Sequence, residues 1–220
     1  MDFKHVPAKY RPIPFWSWNE KLTTEETAEQ IHKMHDVGIG GFFMHARGGL
    51  MTEYMGKEWF DNVKTAVDAA EECGMRAWAY DENGWPSGFG SGVVNGLGVK
   101  YQQKYLRYEK SFEHKDTAIA QIGDIYFYYE INPFYVDTLD KNVIKEFIKC
   151  SYEPYYEKFG NDVEGFFTDE PQISRNGIPW SFVMEEEYRA RYGENLLEHL
   201  DALFFPVEGH KKVRVQFWKW

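Results

Sequence analysis
Trp78-Ala79-Tyr80-Asp81-Glu82-Asn83-Gly84-Trp85-Pro86-Ser87-Gly88 is the stretch on which the fold turns. It begins in a short apolar run, Met75 to Tyr80, that reads as a buried strand. It then passes into two acids, an amide, glycines and a tryptophan with neither helical nor strand period. Gly84, Pro86 and Gly88 force a tight, backbone-exposed turn beneath Trp85. A second stretch has the same form: Val163 to Thr168 is apolar, and Asp169-Glu170-Pro171 ends it. Two buried strands that each deliver an acid pair into a loop are expected to lie side by side and share one face.

Outward from these two stretches the same unit recurs. Pro12 to Asn19 reads as a first strand, and Thr23-Thr24-Glu25-Glu26 as a capping box. Ala28, Ile31, Met34 and Val37 then follow at helical spacing up to Gly38. Gly40 to His45 reads as the next strand, Ala46-Arg47-Gly48-Gly49 as its loop, and Trp59, Val63, Ala66, Val67, Ala70 and Cys73 as one face of a longer helix. Strand, polar loop, helix and glycine in repetition imply βαβ connections and a parallel sheet. Between about Gly98 and Pro133 the rhythm breaks into β-like runs, Leu106 to Phe112, Thr117 to Gln121 and Ile125 to Glu130, separated by Lys115-Asp116 and Gly123-Asp124. The pattern resumes with Tyr135-Val136-Asp137 as a short strand, a helix from near Asp140, and the 163–168 strand. A loop holding Gly177, Pro179 and Trp180, a helix around Met184 to Arg191, a short helical segment with Leu196 to Leu203, and the opening of a helix at Lys211 to Trp220 complete the chain.

The fold expected is an α/β, TIM-type (β/α)₈ barrel of which about the first five βα units are present, with a small antiparallel insertion. Residues 1–98 would hold units one to three, 99–134 the β-meander, and 135–220 the continuation, read as truncated at Trp220.

Composition narrows the function. Of 220 residues, 43% are hydrophobic and 27% charged, which suits a globular domain with a real core. The 35 acidic against 25 basic residues give a net charge of -10, which argues against a nucleic-acid backbone as partner. The two cysteines, Cys73 and Cys150, sit in amphipathic helices and read as free thiols. Met1 to His5 carries no apolar run that would make a signal peptide, and no stretch is apolar enough to cross a membrane, so a cytoplasmic location is expected.

In a parallel barrel the carboxyl ends of the strands open into a common mouth. That places Trp16 to Asn19, His45 to Arg47, Asp81 to Trp85, Asp137 and Asp169-Glu170 together. No Walker loop, dinucleotide fingerprint or HExxH occurs. Acids and indoles in a cleft fit glycoside hydrolysis, where one carboxylic acid protonates the leaving oxygen and a second carboxylate activates water or attacks. Glu170 is the expected acid, with Asp169 beside it, because a buried aromatic strand before it would desolvate the carboxyl and raise its pKa. The plainer reading is that Asp169 and Glu170 cap the next segment or pair with Arg175. Asp81 and Glu82 either hold sugar hydroxyls or a hard cation, or pair with Arg47. His45 is either a hydroxyl donor or a satisfied structural group. Arg47 would hold a carboxylate or a hydroxyl pair, Trp85 and Trp180 would stack on sugar, and Trp18 and Asn19 would complete the substrate contacts. A carbohydrate is thus the expected partner, with neither nucleic acid nor membrane.

Pro14-Phe15-Trp16-Ser17-Trp18-Asn19, Gly38-Ile39-Gly40-Gly41, Gly84-Trp85-Pro86-Ser87-Gly88, and Asp169-Glu170 followed by Trp180 and Arg191-Tyr192-Gly193 together resemble the catalytic domain of glycoside hydrolase family 106, the α-L-rhamnosidase-like enzymes. The resemblance runs from about Pro12 to Leu203. It implies a (β/α)₈ barrel, an inverting mechanism on a terminal, α-L-rhamnosyl sugar, a glutamate acid near Asp169-Glu170, a calcium ion near the sugar, and a catalytic base on a later strand. The adjacency of the acids and the Pro171 after them depart from the more spread Asp-x-x-Glu of that family. The alternative is a sugar-binding barrel without catalysis, or an inactive fragment lacking its base.

Overall fold
The computed structural model describes residues 6–111, 113 and 117–219. Phe112, Lys115, Asp116, Trp220 and the first five residues, on which parts of the sequence reading fall, lie outside the described residues. The chain divides into two compact units, one of residues 1–93 and 146–171, the other of residues 94–145 and 172–220.

The first unit is built on a four-stranded parallel sheet in the order β1 (Phe15–Trp18), β2 (Gly41–Ala46), β3 (Arg76–Asn83), β7 (Phe166–Phe167). Helix α1 (Thr24–Asp36) joins β1 to β2 and α2 (Lys57–Glu72) joins β2 to β3. Thr23 caps α1 as expected: its hydroxyl accepts from the Glu26 amide at 3.3 Å. The Glu26 side chain is instead held by Gln30 at 3.1 Å. Trp59, Val63, Ala66, Val67 and Ala70 form the buried face of α2. They pack with Ile31 of α1 on one side of the sheet, against Trp18, Phe42, Met44, Ala77 and Ala79. A buried bond between Thr27 and Asn62 at 2.8 Å ties the two helices. The other side of the sheet carries an aromatic row, in which Phe15 packs against Phe43 and Phe167 at 5.3 and 4.8 Å between ring centroids.

The two acid-tipped strands run side by side in the same direction, with Ala79 opposite Phe166 and Tyr80 opposite Phe167. Gly165 is required there, because a Cβ at that position would stand 2.7 Å from the Trp78 ring. Helix α4 (Glu153–Phe159) precedes β7 and sends Tyr155 into the core to accept from the Trp59 indole at 2.9 Å.

The second unit is a four-stranded antiparallel sheet in the order β5 (Ala120–Ile122), β6 (Ile125–Val136), β4 (Gln102–Glu109), β8 (Ile178–Trp180). Helices α5 (Met184–Tyr192), α6 (Asp201–Phe204) and α7 (His210–Trp218) contribute to its core around Leu106, Phe127, Trp180, Met184 and Phe217. Helix α3 (Lys141–Ser151) leads the chain back to the first unit.

Two expectations are corrected here. Tyr135-Val136-Asp137 is not a parallel strand, since Tyr135 and Val136 end the antiparallel β6, Val136 pairs with Gln102, and Asp137 lies just past the strand. Pro133, which has no amide to give the ladder, falls where the pairing shifts from Asn132–Gln103 to Val136–Gln102. Residues 178–180 form a strand rather than a loop, because Pro179 lies on an edge strand where a missing N–H is tolerated. The parallel sheet therefore has four strands among the described residues, and a closed barrel is not formed.

Candidate functional site
At the carboxyl ends of β1, β2, β3 and β7 lies a cavity of about 470 Å³ lined by Phe15, Ser17, His45, Arg47, Trp85 and Asp169. Four of the residues singled out in the sequence, His45, Arg47, Trp85 and Asp169, come together in it. Phe15 and Ser17 are the two not named as substrate contacts from sequence, although Ser17 falls within the Trp16 to Asn19 stretch expected at the mouth. Strand alternation could have found them: Trp16 and Trp18 face the helices, so Phe15 and Ser17 share the opposite face.

The loop from Asn83 to Ser91 forms one wall, and Glu82 shapes it. The Glu82 carboxylate accepts from the backbone amides of Asn83, Phe89, Gly90 and Ser91 at 2.9, 2.8, 2.6 and 2.8 Å. Burial raises its pKa and these four bonds oppose that. With 2% of its surface exposed, Glu82 folds the loop and does not face the cavity. Asp81 is fully buried as well. Its two oxygens accept from the Ser87 and Tyr152 hydroxyls, each at 2.5 Å. Alternation along β3 explains this, since Asp81 continues the helix-covered face of Ala77 and Ala79.

Ser87 links that buried carboxylate to the tip of β7. Its amide donates to Asp169 Oδ1 and its hydroxyl accepts from the Asp169 amide, both at 3.1 Å. The buried Tyr80 hydroxyl lies close to the same two residues, and burial keeps it protonated. Trp85 rides on this loop, joined to Pro86 by a cis bond, with 55% of its surface open to solvent.

His45 stands on Tyr80, ring centroids 3.8 Å apart, and its Nε2 is 3.1 Å from the Gly84 carbonyl. That carbonyl can only accept, so the proton of the neutral ring sits on Nε2 and leaves Nδ1 as an acceptor. Burial lowers the His45 pKa, Arg47 adds to that, and the Gly84 carbonyl, Asp169 and Asp81 pull the other way. The Arg47 backbone is pinned by its amide to the Trp18 carbonyl and by the Leu50 amide to its own carbonyl, both at 3.0 Å. Its side chain is exposed.

Glu170 is exposed and outside the cavity lining, in a left-handed backbone conformation at φ +42°. The burial from which its acid role was argued is therefore absent, because β7 pairs over only two residues and the chain leaves the sheet before Glu170. Trp18 is buried against Trp59 and Trp16. With Asn19 it borders a separate crevice of about 30 Å³. Trp180 and Asp137 belong to the second unit, where Trp180 is core and Asp137 pairs with Lys104 at 3.2 Å.

No protein-family model matches the chain, and no curated protein matches it. Among solved structures it is similar to a rhamnosidase from Novosphingobium sp. PP1Y, with 25% identity over 49% of this chain and a TM-score of 0.41. The match covers 10% of that enzyme's chain, so it spans a tenth of its length. At that score the likeness sets neither fold nor function.

The calcium ion implied by the family resemblance finds no fit in these residues. Asp81 and Glu82 spend their oxygens on hydroxyls and amides, and no group of three or more His, Cys, Asp or Glu residues among the described ones could hold a metal. Among the described residues no helix is long and apolar enough to cross a membrane.

Proposed function
We propose that the cavity binds a terminal sugar and that the chain is part of a glycoside hydrolase which protonates the glycosidic oxygen from its Asp169-Glu170 tip. One observation carries the reading: an exposed indole, a guanidinium and a carboxylate converge on a cavity at the carboxyl ends of four parallel strands. Trp85 offers the flat apolar face that sugar C–H groups stack on. Asp169 offers an acceptor for hydroxyls, and Arg47 brings a guanidinium into the same lining. A volume of about 470 Å³ falls within the range of small-ligand sites. The sequential, all-parallel strand order and the partly exposed aromatic row of Phe15, Phe43, Trp78 and Phe167 support reading this sheet as the first part of a (β/α)₈ barrel.

The finer assignment, an inverting α-L-rhamnosidase with Glu170 as acid, rests on the motif resemblance. Nothing lining the cavity singles out a 6-deoxy sugar. A second reading, sugar binding without catalysis, is favoured by one fact: Asp169 is the single carboxylate among the described lining residues, whereas hydrolysis uses two.

Release of nitrophenol from a panel of aryl glycosides, run beside sugar binding followed by tryptophan fluorescence, tests both. Release that Asp169→Asn or Glu170→Gln abolishes, with binding retained, supports the hydrolase and names its acid. Binding without release leaves the second reading. Absence of both removes the cavity as a sugar site.

A further inference from the structure
The cavity holds two charged groups that do not neutralise each other. Among the described residues Arg47 has no ion-pair partner within 4.0 Å, although Asp169 lines the same cavity. His45, beside Arg47, donates to the Gly84 carbonyl and is biased to the neutral form, so Arg47 is the lasting positive charge in the lining. Its position is fixed from below. The backbone is held by Trp18 and Leu50, and the Gly49 that follows lies so close to Asn19 that a Cβ there would be 2.7 Å from the Asn19 carbonyl oxygen. Asp169, in turn, is held through Ser87, with one carboxylate oxygen on the Ser87 amide. A ligand that satisfies both groups needs an anion for the first and hydroxyl donors for the second, with an apolar ring face for Trp85.

Resting on the reading of this cavity as a sugar site, we propose that the sugar it takes is a uronic acid, its carboxylate held by the Arg47 guanidinium, its hydroxyls donating to Asp169 and its ring lying on Trp85. A neutral sugar, deoxy or not, would use the Trp85 face and the Asp169 acceptor but leave the guanidinium to water. The planar fork of an arginine matches a carboxylate in two parallel bonds, and such charged bonds are about twice as strong as neutral ones. An open guanidinium costs little while the cavity is empty, since its exposed side chain stays hydrated.

The test is a fluorescence titration of the full chain with matched pairs, D-glucuronate with D-glucose and D-galacturonate with D-galactose, and with L-rhamnose. One uronate should bind about tenfold tighter than its neutral counterpart. The gap should narrow as salt is raised. Arg47→Gln should close the gap by weakening uronate binding more than neutral-sugar binding, and Arg47→Lys should restore part of it. Neutral sugars binding as tightly as uronates would overturn the acidic assignment and leave the sugar-site reading intact. Arg47→Gln losing acidic and neutral sugars alike would overturn it too, because Arg47 would then serve hydroxyls. If no sugar of either kind binds, both the assignment and the site reading fail.

Discussion

Ser87 and Asp169 exchange two hydrogen bonds of 3.1 Å, amide to carboxylate in one direction and amide to hydroxyl in the other, so the loop after β3 and the tip of β7 are laced together 82 residues apart. The same hydroxyl donates to the buried Asp81 at 2.5 Å. Ser87→Ala keeps the amide bond but strips Asp81 and the Asp169 amide of a partner. A loss of about 1–3 kcal/mol is expected in urea unfolding. Stability unchanged within error would show that water replaces the hydroxyl without cost.

Glu82→Gln should be worse. An amide presents one oxygen and one NH₂ where the carboxylate now accepts four N–H groups, so at least one buried amide would face another donor. The cost is expected on the order of 3 kcal/mol, and amide hydrogen exchange across residues 83–91 should speed up more than in α2.

Acid should loosen the first unit through His45. Its pKa is lowered in the folded chain from the ordinary 6.5, so the unfolded chain binds more protons over the interval below that value. The contribution is complete above about pH 6.5 and is lost as pH falls through the folded value. His45→Gln should flatten that part of the stability curve. An unchanged slope in the variant would assign it to other groups.

In the second unit, Lys104 Nζ is fully buried and donates to the carbonyls of Gln102 and Lys100 at 2.6 and 3.3 Å as well as to Asp137. Lys104→Met leaves the Asp137 carboxylate buried without its cation, with an expected loss of about 3–5 kcal/mol. Adding Asp137→Asn should recover much of it. A double variant no better than the single one would mean that the loss comes from the unfilled carbonyls.

Much of the first unit is legible in the chain because local signals there agree with burial. The Thr23 cap, the apolar face of α2 and the two acid-tipped strands each follow from spacing alone. The antiparallel sheet was harder to read, since β8 is written in Ile178, Pro179 and Trp180 after a glycine, residues whose local preference is a turn. Only pairing to β4 makes them a strand. In the site, residue type showed where polar groups gather but not which way each one points. Asp81 and Glu82 look alike in sequence to a ligand-binding pair, but the alternation of β3 turns Asp81 toward the helices, and the amides of Asn83, Phe89, Gly90 and Ser91 hold Glu82 in the loop. Glu170 looked buried because the run before it is aromatic, yet only Phe166 and Phe167 remain in the sheet.

The ring of amides around Glu82 has a further consequence for anything that docks beside Trp85. A loop containing Gly84, Gly88 and Gly90 would ordinarily sample many shapes, and a ligand would have to select one of them. Here the shape is set when the chain folds, so the entropic penalty of ordering that wall does not fall on the binding step, and affinity can reflect the contacts themselves.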